Sequence, residues 1–176
     1  MKTFIKNASR ILFAYTIAAA VFTFFVIAPL NMANNTTLWL LAYSFVMFLF
    51  MFFIVSRTAL SVGKSERYDP DAHPFFAKGF IYGLIAMVPY LILGLVHYLI
   101  YDNSLELGLR IFHYLFRCAL GPMYFIINTL KYKWYAFAVA YSVVPIISGI
   151  WYFMGLKGID KPELKRKLKE DEDFLK

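Results

Sequence analysis

The sequence predicts an all-α polytopic integral membrane protein: a bundle of four transmembrane helices plus one amphipathic or re-entrant segment, with a fifth span as the alternative for that segment. Three observations predict it. Apolar residues make up 61% of the chain, well above the roughly 45–50% of a soluble domain. No Asp, Glu, Lys or Arg occurs in three long runs, 11–56, 79–101 and 134–156, and about 20 mostly apolar residues suffice to cross a hydrocarbon core about 30 Å thick. Lysine and arginine cluster at alternate connections, the pattern that sets orientation in a membrane.

The first run is too long for one span and is broken by "APLNMANNTT", residues 28–37, where proline and consecutive asparagines favour a turn. It therefore gives two helices, near 11–30 and 37–56, and the other runs give helices near 79–101 and 134–156. Helix is the expected conformation because lipid offers no partner to open backbone groups, and the alternating pattern of a barrel strand is absent. The first helix follows Lys2, Lys6 and Arg10 but lacks a small-residue cleavage site, so it reads as a retained span rather than a signal peptide. One transmembrane domain is expected over 1–156, and a charged tail over 157–176.

Charge sets the orientation. Three bases precede the first span, and Arg57, Lys64, Arg67 and Lys78 lie between the second and third. Seven more follow from Lys157, in a tail where Asp160, Pro162 and Glu163 suggest the start of a short helix. Four crossings put 14 of the 18 bases on the cytoplasmic side, whereas five crossings put only 9 there. Both termini are therefore expected in the cytoplasm of a cell with this protein in its plasma membrane.

The segment 104–130 is the ambiguous one. In "LRIFHYLFRCALGP", residues 109–122, helical geometry places Arg110, His113 and Arg117 on one stripe with the preceding Glu106. A central arginine in a span costs about 2.5–3.5 kcal/mol on insertion scales, whereas at an interface it snorkels. The charge-free run 118–130 is short for a crossing, and Gly121-Pro122 marks a break. An outer amphipathic turn leading into a re-entrant run is the leading reading.

The candidate ligand or lipid-headgroup residues are Arg110, His113 and Arg117, with His97 nearby in the "VHYLIY" stretch. Catalytic and metal sites are not expected. Cys118 is the only cysteine, so no internal disulfide or multi-cysteine centre forms. Asp69, Asp71 and His73 alternate, but Pro70 and Pro74 interrupt them, which suits a solvated turn. Phosphate-loop, nucleophile-elbow, dinucleotide and zinc-helix patterns are missing, and the four predicted spans contain no acidic residue. Pro89, Pro145, Gly83, Gly94, Ser148 and Gly149 are expected to shape and pack the helices.

The stretch "VVPIISGIWYFMGLKGI", residues 143–159, resembles the end of small uncharacterised multipass proteins of low-GC Gram-positive bacteria, where a final apolar span runs into a glycine, an aromatic and a basic tail. The resemblance implies a bacterial plasma membrane and a cytoplasmic tail, but no activity. The expected function is that of a non-enzymatic scaffold or accessory subunit without cofactor. Its partners would be the bilayer and either another membrane protein or further copies of itself; nucleic acid is not expected. The alternative is a small-solute permease or substrate-binding subunit whose anion-binding face is Arg110, His113 and Arg117.

Overall fold

The computed structural model describes residues 2–26, 36–69, 75, 77–100 and 116–158, and 91% of these are helical. Four long helices form the body: α1 (Lys2–Phe25), α2 (Thr36–Arg67), α3 (Lys78–Ile100) and, after a short α4 (Tyr124–Thr129), α5 (Trp134–Lys157). Each long helix is long and apolar enough to cross a membrane.

Ring contacts fix the helix directions. Phe4 packs on Tyr82 and Tyr15 on Tyr90, so α1 and α3 run the same way. Phe22 packs on Tyr43, and Asn7 bonds Glu66, so α2 runs opposite to α1. The Tyr141 hydroxyl donates to the Tyr90 carbonyl at 3.1 Å, and Tyr152 lies against Gly79, so α5 is antiparallel to α3. The helices form a ring in which α1 and α5 each pack between α2 and α3. One end of the bundle gathers Lys6, Arg67, Lys78 and Lys157; it is termed the basic end.

Each buried stripe follows helical periodicity. On α1 it consists of Ala8, Ile11, Ala14, Tyr15, Ala18, Ala19 and Phe22, mostly small residues that let neighbours approach. On α2 it runs Met47, Met51, Val55, Ala59, Val62 and on to Glu66. Opposite faces, such as Phe13, Phe53, Ile92 and Ile150, are exposed. Lipid is the solvent for such a surface, since it satisfies apolar groups that water would not.

Glycines set the closest approaches. A Cβ on Gly63 would strike the Tyr152 carbonyl oxygen, and one on Gly155 would lie 2.5 Å from the Leu60 carbonyl oxygen. Helices α2 and α5 therefore touch backbone to backbone. Gly83 likewise makes room for Pro145 and Ser148, and the Ser148 hydroxyl donates to the Gly79 carbonyl at 3.0 Å. The α5 helix ends in a left-handed Gly158 (φ 67°) whose N–H bonds back into the last turn.

Two boundaries differ from the sequence expectation: α1 begins at Lys2 rather than near 11, and α2 runs past 56. Helix α2 does not stop near 56 but continues to Arg67 over 32 residues, about 48 Å at 1.5 Å per residue. The whole helix is thus longer than the hydrocarbon core is thick, about 30 Å. Arg57 and Arg67 ride on the exposed face of this helix and Lys64 is partly exposed, while the buried stripe is apolar as far as Val62 and ends in Glu66.

Between α3 and α5 the chain dips into the bundle and returns. Phe116–Ala119 forms a helical turn, Gly121–Met123 a 3₁₀ turn, and α4 leads back out to Trp134. Phe116, Cys118, Leu120, Met123 and Ile127 are buried. The Tyr15 hydroxyl donates to the Ala119 carbonyl at 2.9 Å, and the Ser44 hydroxyl donates to the Gly121 carbonyl at 2.7 Å. Ser44 also accepts the Phe125 N–H at 3.0 Å. Tyr15 lies ten residues from the end of α1, so the turn reaches about 15 Å into the bundle. Because α3 and α5 are antiparallel neighbours, the segment enters and leaves at the same end, opposite the basic one.

Candidate functional site

The densest polar arrangement among the described residues lies at the basic end and centres on Glu66, which is 2% exposed. Its Oε1 accepts from Asn7 Nδ2 of α1 at 2.6 Å and from the Tyr82 hydroxyl of α3. Its Oε2 accepts from the Tyr152 hydroxyl of α5 at 2.7 Å and pairs with Lys78 Nζ of α3 at 2.7 Å. All four long helices thus contribute to one carboxylate. Lys78 keeps 15% of its side chain exposed, whereas Tyr82 and Tyr152 are fully buried.

Local packing explains the geometry. Glu66 extends the α2 stripe by one more helical step, so it points where a leucine would otherwise sit. Lys78 and Tyr82 are four residues apart on α3 and share a face. Gly79, between them in sequence, leaves space for the Tyr152 ring, because a Cβ there would overlap its Cβ and Cγ atoms. The Tyr82 and Tyr152 rings meet edge to face, with centroids 5.8 Å apart. Gly63 and Gly155 bring α2 close enough to α5 for Tyr152 to reach the carboxylate.

A carboxylate offers about four acceptor positions, and here four donors occupy them. The arrangement suits an ionised Glu66, whose burial is compensated by one cation and three neutral donors. It leaves no lone pair for a metal ion or a substrate. The chemistry available is the joining of helices.

The residues singled out in the sequence lie elsewhere. Arg110 and His113 fall outside the described residues, as do Glu106, Asp71, His73 and the tail beyond Gly158. His97 stacks on Phe116 with ring centroids 4.1 Å apart and planes 23° apart, closing the joint between α3 and the re-entrant turn. Arg117 is exposed at the end opposite Glu66, beside the turn that carries Tyr132. Partial burial and the neighbouring Tyr124 hold the Tyr132 phenol above its ordinary pKa, while the Arg117 charge acts to lower it. Arg117 and His97 do not converge with Glu66. Among the described residues no group of three His, Cys, Asp or Glu side chains is placed to hold a metal ion.

Sequence reasoning missed Glu66, Asn7, Tyr82 and Tyr152. The detectable signal was an acid in register with the apolar stripe 51, 55, 59 and 62.

No family model matches the sequence, and comparisons with curated proteins and with solved structures also return no match. The chain is described by what its own residues build: a multi-pass bundle of four helices fit to cross a membrane, fastened at its basic end by one buried carboxylate.

Proposed function

We propose that the chain serves as a non-enzymatic scaffold or accessory subunit in a bacterial plasma membrane, with both termini in the cytoplasm. The observation that supports this reading is the saturation of Glu66 by Asn7, Lys78, Tyr82 and Tyr152. The buried charge is spent on holding four helices together, which gives a partner a rigid surface. The alternative permease reading places an anion site at Arg110, His113 and Arg117. It draws no support from Arg117, which is exposed at the bundle end rather than facing the interior.

Two measurements test the proposal. Proteoliposomes containing the full chain should show no more flux of small anions than protein-free vesicles. Saturable flux abolished by Arg117→Gln would instead establish the permease. Mild-detergent extraction from the native membrane should yield an assembly larger than one chain, and a purely monomeric product would remove the scaffold reading.

A further inference from the structure

At the end opposite Glu66, α4 runs directly into a backbone reversal of unusual make-up. Lys131 and Tyr132 both have φ 56°, and neither is glycine. Consecutive left-handed residues with side chains are sterically disfavoured. They are held there by bonds from Leu130 N–H to Ile126 O (3.1 Å), Lys131 N–H to Asn128 O (3.0 Å) and Tyr132 N–H to Ile127 O (3.0 Å). Two glycines would make this turn with less strain, so the side chains are what the strain retains.

Those side chains have a common character. The reversal folds the Tyr132 ring back toward Tyr124, with centroids 6.2 Å apart and planes at 67°. The Arg117 charge acts on the Tyr132 phenol. Lys131 and Lys133 are exposed on either side of Tyr132, as is Arg117, and Lys133 Nζ also lies 5.8 Å from the Tyr135 ring centroid. Among the described residues the acids are Glu66 and Asp69, both at the other end. Arg117, Lys131 and Lys133 are thus three exposed cations around Tyr132, without a described acid, on the side that the proposed orientation puts outside, where membrane proteins ordinarily carry few. Trp134, 82% exposed, supplies an interfacial anchor beside them.

We propose that Arg117, Lys131 and Lys133, with the Tyr124 and Tyr132 hydroxyls, form a binding site for a phosphate group, supplied by an anionic lipid headgroup or by free phosphate. Guanidinium and ammonium groups match phosphate oxygens with charge-assisted hydrogen bonds, and the phenols can donate alongside them. The strained turn fixes the spacing before the ligand arrives.

The test uses the full-length protein in neutral detergent, titrated with short-chain phosphatidylglycerol, short-chain phosphatidylcholine and inorganic phosphate. Phosphatidylglycerol should bind more tightly than phosphatidylcholine and weaken as salt rises. Comparable binding of inorganic phosphate supports the site with free phosphate as its source; binding of phosphatidylglycerol without it assigns the headgroup. Arg117→Gln should weaken binding about tenfold, the scale of one charge-assisted hydrogen bond. Lys131→Gly separates binding from folding, because it should raise Tm by relieving the left-handed strain while weakening affinity by about the same factor. Equal binding of the two lipids without phosphate binding, or wild-type affinity in both variants, would overturn the proposal.

Discussion

Replacing Lys78 with methionine keeps the aliphatic stem but leaves Glu66 one donor short and without its cation. Removing one partner of a buried ion pair costs about 3–5 kcal/mol, chiefly because the remaining charge stays buried. Three donors, Asn7, Tyr82 and Tyr152, still reach the carboxylate. Lys78 is also 15% exposed, so water lies near its end of the pair. Both facts place the loss at the lower end, about 3 kcal/mol. For a chain of this length that corresponds to a fall in Tm of about 6–12 °C. Glu66→Gln should cost less, about 1–2 kcal/mol, because Lys78 can turn to water while the amide oxygen keeps two donors. The double variant removes both the stranded charge and the clash of the amide with the ammonium. It should therefore be more stable than the sum of the single losses by about 1–2 kcal/mol. The assay is intrinsic to the protein: Cys118 is its only cysteine and is buried, so a thiol-reactive fluorogenic dye reports unfolding. Single losses that simply add, or a Lys78→Met variant within about 2 °C of wild type, would refute the reasoning.

Three other predictions concern the packing and the topology. Gly63→Ala drives a methyl group into the Tyr152 carbonyl, with the Gly155 Cα 3.2 Å away, and should destabilise by about 3 kcal/mol in the same dye assay, since backbone lies on both sides. Ser44→Ala leaves the Gly121 carbonyl and the Phe125 N–H without their shared partner. At about 1–3 kcal/mol per buried unpaired group, native-state labelling of Cys118 should accelerate by about tenfold or more; an unchanged rate would mean that the Tyr15–Ala119 bond and apolar contacts hold the re-entrant turn without Ser44. In a Cys118→Ala background and intact cells, cysteine at position 131 should react with an impermeant reagent and cysteine at position 68 should be protected. The reverse pattern would invert the proposed orientation.

The spans were legible because hydrocarbon acts on composition, and an uncharged run of sufficient length records that directly in the sequence. The re-entrant turn was partly legible for a similar reason: Gly121-Pro122 breaks a run too short to cross, and the buried residues Gly121–Met123 are the 3₁₀ turn that results. Glu66 is hidden in the sequence because it follows Arg57 and Lys64, charges that in a sequence mark the end of a span. Arg57 and Lys64 lie within the helix without ending it, and a carboxylate becomes tolerable only where Asn7, Lys78, Tyr82 and Tyr152 arrive from three other helices. No local window contains that information. Tyr82 and Tyr152 were equally opaque, because a tyrosine in an aromatic-rich span has the same composition whether its hydroxyl meets a headgroup or a buried acid.

The partners of Glu66 also order the assembly of the chain in time. Asn7 lies 59 residues before it and Tyr152 lies 86 residues after it. During synthesis the first two helices therefore enter the membrane with the acid still short of its lysine and both phenols. Its last acceptor position is filled only when the final span is in place. A chain that stalls or is cut before residue 134 presents an incompletely paired carboxylate at the helix surface, and a finished chain conceals it. The same residue that fastens the mature bundle is thus left short of donors in an unfinished one.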